Sequence, residues 1–327
     1  MKVYLFALAI VGMAVTLCCK NNTDQSQNSE SSENAEYIEN SEKSEDSENT
    51  ENSEKSAPPQ KAGYQIIVKN PGDSARVEEL LKKGSVLEED ANIILFYARQ
   101  FLGQPYVGYT LDQEKEEALI INTQELDCTT FVENVLALVV CTKRHQTTFA
   151  DFCKALADVR YIGGKVAYTT RQHYFTTWIS DNIKDGFLAD IELPKPPLSA
   201  TRKANVNYMT THVESYKMLD AHRQWLPEIK AMEQAVSNTT FTYIPKDKLA
   251  NSEQYRKYIH SGDIVGIVTN KKGLDASHLG FAVWKKDGLH LMHASSVKKE
   301  VIEDSLTLYK YLQIQTSSAG IRVVTIK

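Results

Sequence analysis

Ser277-His278-Leu279-Gly280-Phe281-Ala282-Val283-Trp284-Lys285-Lys286-Asp287-Gly288-Leu289-His290-Leu291-Met292-His293 reads as a β-hairpin, two apolar-rich runs around a Lys-Lys-Asp-Gly turn signal. The turn length decides what the hairpin can do. A two-residue Asp-Gly turn sets His293 opposite Ala282, too far along the strand from His278 to touch it. A four-residue loop over 285–288 instead pairs Trp284 with Leu289 and sets His293 opposite Gly280. His278 then lies one diagonal away on the same face, within reach of the other imidazole, and Gly280 leaves the space between them empty. We expect the longer turn.

A second run, Leu126-Asp127-Cys128-Thr129-Thr130-Phe131-Val132, lies about 150 residues earlier. Phe131, Val132, Val135, Leu136, Leu138 and Val139 are apolar almost all round a helix, which places that helix in the interior. With Asp127 as cap, Cys128 becomes the first helical residue, where unpaired N–H groups and the helix dipole favour a thiolate. The same N–H groups, that of Cys128 above all, are suited to hold an oxyanion. Read locally, Cys128 is equally well a small buried residue. The paired histidines favour a site, because a thiol at a helix N-terminus with a strand-borne imidazole is an arrangement for nucleophilic acyl transfer.

The rest of the chain gives the setting. Glu88 to Phe101 reads as an amphipathic helix ending at Gly103-Gln104-Pro105-Tyr106, and a further helix covers Phe149 to Arg160. Pro194, Pro196 and Pro197 break the chain, and helical stretches follow over Met209–His222 and Glu228–Val236. Strand-like runs cover Asp263–Val268, His278–Trp284, Leu289–His293 and Ile321–Ile326. Helices followed by an antiparallel sheet predict an α+β domain over 63–327, with a largely helical insertion at about 183–250.

Residues 1–19 begin with Lys2 and an apolar run too short to span a bilayer, and read as an export signal. The run ends at Cys18-Cys19 and resembles a bacterial lipoprotein signal, which implies lipidation at one of the two. Residues 20–62 then repeat a Ser/Glu/Asn unit, with Glu at every third position from 30 to 54. Nothing there can form an apolar face, so the segment reads as a disordered tether. Residues 20–60 hold 11 acidic and 3 basic residues; of the chain's net −5 this stretch alone carries −8, leaving the remainder close to neutral. That balance points away from nucleic acid. Cys128, Cys141 and Cys153 remain, an odd number that implies a free thiol; Cys141 and Cys153 sit on apolar helical stretches as small hydrophobes.

Gly103-x-Pro105-Tyr106, Asp127-Cys128-x-x-Phe131-Val132, Gly262-Asp263-Ile264-Val265, His278-Leu279-Gly280 and His293-Ala294-Ser295 resemble, in that order, the NlpC-type papain-like cysteine hydrolases of bacterial cell walls. Residues 87–296 look most like the N-acetylmuramoyl-L-alanine amidase-like subgroup, whose signature is similar to Arg171-Gln172-His173-Tyr174-Phe175-x-x-Trp178-Ile179-x-x-Asn182. The resemblance implies a papain-like core in which a buried helix carries Cys128 as nucleophile and packs on an antiparallel sheet. It implies His278 as general base and His293 as the group that orients it. Tyr106 matches a tyrosine lining that family's cleft, and is otherwise a packed core tyrosine. Arg171, His173 and Tyr174 suit a sugar–peptide ligand bearing carboxylates, or else belong to a structural loop. Two departures stand out: Thr129 follows the nucleophile where the wider family has Ser, and the stretch from Tyr106 to Cys128 is long.

The implied reaction is cysteine-dependent hydrolysis of the amide between N-acetylmuramic acid and L-alanine, with peptidoglycan or muropeptide as partner and no cofactor or metal. The alternative within the class is cleavage between γ-D-glutamyl and diaminopimelyl residues. Two other readings are a zinc site built from Cys128, His278 and His293, and an inactive wall-binding lipoprotein. The expected form is a monomer, exported and held at a bacterial membrane by its N-terminal lipid.

Overall fold

In the computed structural model, which describes residues 63–88 and 91–327, the apolar run after Asp127 forms helix α3 (Cys128–Lys143). The expected signal at 1–19, the lipidation candidates Cys18 and Cys19, and the tether at 20–62 lie outside the described residues. Every α3 residue from Thr130 to Cys141 is buried. Each fully buried Val, Leu or Phe in such a helix contributes about 1.5–3 kcal/mol. Three polar side chains, Thr130, Glu133 and Asn134, share this interior, and only the Asn134 side-chain oxygen among their buried atoms is left without a partner. Glu133 accepts from Arg160 Nε at 2.6 Å, and Arg160 Nη1 donates to the Ile120 carbonyl at 2.9 Å. Asn134 donates to the Thr130 carbonyl at 2.7 Å.

Helices α1 (Asp73–Gly84), α2 (Ile93–Arg99) and α4 (Phe149–Arg160) pack on α3, and α5 (Phe175–Lys184) packs on α4. Helix α4 has the expected limits because Thr148 and Asp151 form a reciprocal capping box. Helix α2 is shorter than the periodicity predicts, since the Asn92 side chain caps it by accepting the Leu95 N–H at 2.9 Å. Cys141 and Cys153 are buried free thiols, as expected of small hydrophobes.

Strands β1 (Ile66–Val68) and β2 (Leu119–Ile121) form a small parallel pair. All other strands join one antiparallel sheet: β3 (Leu188–Asp190), β4 (Ala200–Lys203), β5 (Thr240–Pro245), β6 (Ile264–Thr269), β7 (Ala276–Lys285), β8 (Gly288–Ser295), β9 (Glu300–Thr307) and β10 (Ser318–Ile326). Their order is β4-β5-β10-β6-β7-β8-β9, with β3 also on β10. Apolar clusters cover both faces. Phe281, Val283 and Met292 face α3, and Ala282, Leu289 and Leu291 face the side closed by α9 (Leu308–Ile314).

The segment at 183–250 is less helical than expected. It gives β3, β4 and β5 to the main sheet, between which lie α6 (Tyr208–Thr211), α7 (Lys217–Ala221) and α8 (Leu226–Val236). The single helix expected over Met209–His222 is broken at His212. That ring stacks on Tyr208 at 4.0 Å and turns Nδ1 onto the Tyr208 carbonyl at 3.1 Å, ending α6. Among the described residues no helix is long and apolar enough to cross a membrane.

Glu133→Ala leaves the Arg160 charge buried without its partner. We expect a loss of about 3–5 kcal/mol in unfolding free energy, measured by denaturant titration; a loss under 1 kcal/mol would show that Arg160 finds another acceptor.

Candidate active site

Asp127 starts the site. Its Oδ1 accepts the Thr129 and Thr130 N–H groups at 3.0 and 2.8 Å, while Thr130 Oγ1 takes the Asp127 N–H at 2.9 Å. This capping box makes Cys128 the first helical residue, as the sequence predicts. The thiol is half-buried, and the Leu279 N–H, the Thr129 hydroxyl and the Cys128 N–H lie near enough to the sulfur to favour its charged form. Thr129 thus gives the sulfur a hydroxyl donor, so its replacement of Ser keeps the relevant group.

The hairpin has the expected register but a tighter turn. Trp284 pairs with Leu289, and pairing continues one step further to Lys285–Gly288, leaving only Lys286-Asp287 in the turn. The expected four-residue loop is therefore a two-residue loop. Gly288 permits it by adopting φ 133°, a conformation that side chains rarely take. The consequence for the histidines is unchanged. His278 Nε2 lies 2.6 Å from His293 Nδ1, and the rings meet edge to face with centroids 4.8 Å apart. Gly280 is needed between them, because a Cβ there would sit 3.0 Å from His293 Cβ and 2.6 Å from the Met292 carbonyl oxygen.

Strand alternation puts both histidines on the face that carries Ala282, Leu289 and Leu291, whereas α3 packs on the opposite face. The thiol therefore meets β7 at the Leu279 backbone, one residue beyond His278. Tyr311 on α9 joins the two parts. Its ring lies 6.3 Å from His278 and 5.4 Å from His293, and burial together with the nearby Cys128 and Asp304 raises its hydroxyl pKa. Tyr106 borders the same thiol, with its hydroxyl raised by burial and by Cys128 and Asp127. Tyr106 is thus both packed on the core and placed beside Cys128.

The electrostatics differ from the expected thiolate. Burial and the adjacent Asp127 push the Cys128 thiol up to about 12, outweighing the donors on the sulfur. The capping carboxylate takes two of the N–H groups that a dipole argument assigns to the sulfur, and adds a negative charge beside it. Burial and His293 hold His278 well below the usual imidazole range. The resting pair is therefore neutral thiol and neutral imidazole.

Arg171, His173 and Tyr174 are drawn into a separate, buried network. Arg171 pairs with Asp112 at 2.5 Å and faces Glu117 at 3.7 Å, both on the long loop after Tyr106. His173 Nε2 meets the Tyr168 carbonyl at 2.8 Å, and burial and Arg171 lower its pKa to about 3. The Tyr174 hydroxyl donates to Glu233 at 2.7 Å. Arg171 thereby ties the loop over 107–117 to this network, with its Nε left without a hydrogen bond, while His173 and Tyr174 are held by Tyr168 and Glu233. Trp178 stacks on Phe175, and Asn182 donates to the Val159 and Trp178 carbonyls, both as packing residues.

Sequence reasoning singled out neither Asp304 nor Tyr311. His290 is buried, with Nδ1 on the Asp304 carbonyl at 3.0 Å and Nε2 on Asp287 at 2.9 Å. No periodic signal marks Asp304, because β9 is bulged there. Between the pairs His290–Thr307 and Met292–Glu303, β9 holds two more residues than β8.

A family model described as N-acetylmuramoyl-L-alanine amidase-like matches residues 97–321. Among solved structures, an N-acetylmuramoyl-L-alanine amidase from Bacteroides uniformis is 34% identical, covering 75% of this chain and 99% of its own, with a TM-score of 0.67. A Bacteroides fragilis protein solved under a provisional xylanase designation is 38% identical, covering 70% of this chain and 99% of its own, with a TM-score of 0.65. A Legionella pneumophila protein at 23% identity shares the fold over 77% of this chain and 96% of its own, with a TM-score of 0.59. No curated protein matches the chain.

With a raised thiol pKa and a depressed imidazole pKa, alkylation of Cys128 by iodoacetamide is expected to keep accelerating above pH 9. A rate already level at neutral pH would show a standing ion pair instead.

Proposed function

The chain belongs to the N-acetylmuramoyl-L-alanine amidase-like family, and from that premise we propose that it is a cysteine-dependent cell-wall amidase with a papain-like, NlpC-type catalytic core. The bond cleaved is the amide between N-acetylmuramic acid and L-alanine. The observation that carries this reading is the 2.6 Å pairing of His278 with His293 on the strand whose Leu279 N–H meets the Cys128 sulfur.

Each group has a role set by its surroundings. His278 keeps Nε2 on His293, which leaves Nδ1 as the base for the thiol. Because the resting pair is neutral, the proton moves from Sγ to Nδ1 as the sulfur attacks the lactyl carbonyl. Thr129 and Thr130 N–H are held by Asp127, so the Cys128 N–H is the helix donor left for the developing oxyanion. His278 then protonates the departing alanine amine. Water, deprotonated by the same imidazole, cleaves the muramoyl thioester and regenerates the thiol. Tyr106 walls the thiol side of the cleft, and Tyr311 covers the imidazoles.

Zinc storage fits poorly, since His278 Nε2 and His293 Nδ1 point at each other rather than at a common third point. The N-terminal segment is read as an export signal and lipid anchor at Cys18 or Cys19. It would hold the catalytic domain, as a monomer, at a bacterial membrane.

Cys128→Ala and Cys128→Ser are expected to fold and to release no product from purified peptidoglycan or defined muropeptides. Mass spectrometry of the wild-type digest should give intact stem peptides beginning with L-alanine. Disaccharide-dipeptides would move the cleavage to the γ-D-glutamyl-diaminopimelyl bond, and undiminished turnover by Cys128→Ala would end the cysteine mechanism.

A further inference from the structure

The catalytic pair leaves one polar atom to account for. If His278 Nε2–H donates to His293 Nδ1, His293 must carry its own proton on Nε2. His293 is 1% exposed, and its Nε2 has no partner within hydrogen-bond distance. The nearest charged group is Asp304 Oδ2 at 3.5 Å, close enough for an ion pair and slightly long for a hydrogen bond. A buried N–H directed at a carboxylate is a built arrangement, since leaving it unpaired costs about 1–3 kcal/mol.

Two features of β9 aim Asp304 at that atom. Ile302 lies directly opposite His293, so Asp304 occupies the diagonal position on the same face, just where the bulge begins. Its Oδ1 accepts the Leu306 N–H at 2.9 Å within the bulge, which fixes the carboxylate orientation. Its main-chain carbonyl is held by His290 Nδ1 at 3.0 Å and Lys285 Nζ at 3.1 Å. Partial burial works against the charged carboxylate, yet His293 and the Leu306 N–H hold its pKa below the usual value.

We propose that Asp304 is a positioning residue for the reaction assigned above, the last member of a row Cys128–His278–His293–Asp304. The proposal rests on that reading of the site for its kinetic consequences only. During attack the thiol proton goes to His278 Nδ1, and no further proton moves. His278 keeps Nε2–H on His293 Nδ1, His293 keeps Nε2–H on Asp304, and the carboxylate stabilises the imidazolium through the intervening ring. In the acylated state the 3.5 Å separation shortens to a hydrogen bond.

The test begins on the wild-type protein. In 15N-histidine long-range NMR at neutral pH, His293 is expected as the Nε2–H tautomer with an unprotonated Nδ1. The opposite tautomer overturns the proposal whatever the substrate proves to be. Asp304→Asn is expected to lower kcat about 10-fold to 100-fold with KM within twofold. It should also move the acid limb of the kcat profile to lower pH, because the imidazolium loses its counter-charge. The groups facing Asp304 are His293, His290, Lys285 and Tyr311, and all remain in the variant. Asp304→Glu should recover part of the rate. A kcat within twofold of wild type and an unmoved acid limb in Asp304→Asn would refute the role. Absence of amide hydrolysis by the wild type would remove the catalytic reading alone and leave the tautomer result standing.

Discussion

The cap at Asp127 is the constraint on which the site depends. One carboxylate oxygen binds two N–H groups and so fixes where the buried helix begins, and Cys128 takes the next position. A cap of this kind is worth about 0.5–2 kcal/mol in helix stability. Its cost appears at the sulfur, where the same negative charge opposes ionisation. The placement of the thiol and its ionisation therefore pull in opposite directions, and in the mechanism proposed above the imidazole would take the proton only as the sulfur attacks.

The sheet supplies the other half. Antiparallel strands bring every second residue to one face, and a diagonal step from strand to strand connects His278 to His293 and His293 to Asp304. Gly280 clears the first step and the β9 bulge adjusts the second. The rings are thus oriented by the sheet ladder and not by loops, which holds them to fixed directions.

Much of this was legible in the chain. Asp127 before an apolar run announced the helix start, and Trp284 and Leu289 fixed the hairpin register even though the turn came out two residues shorter than expected. Register survived because extending the ladder by one pair changes no partner. Other features depended on distant neighbours. The partners of Arg171, Asp112 and Glu117, gave no signal because they lie some 60 residues away on a loop without periodicity. Asp304 was hidden by the bulge, since alternation assigns no face to a strand that carries extra residues. The helix expected over Met209–His222 failed because a side chain, that of His212, competed for the backbone.

Cys128 and His278 ride on different elements, one on a helix and the other on a strand. One contact between those elements is Phe131 against Phe281, edge to face at 5.4 Å, backed by Phe101 at 6.0 Å. Phe131 lies three residues beyond Cys128, and Phe281 three beyond His278. These rings therefore set how closely the start of α3 and the start of β7 approach each other from behind. Reactivity in this architecture can consequently be tuned by the bulk of buried aromatics that never meet the substrate.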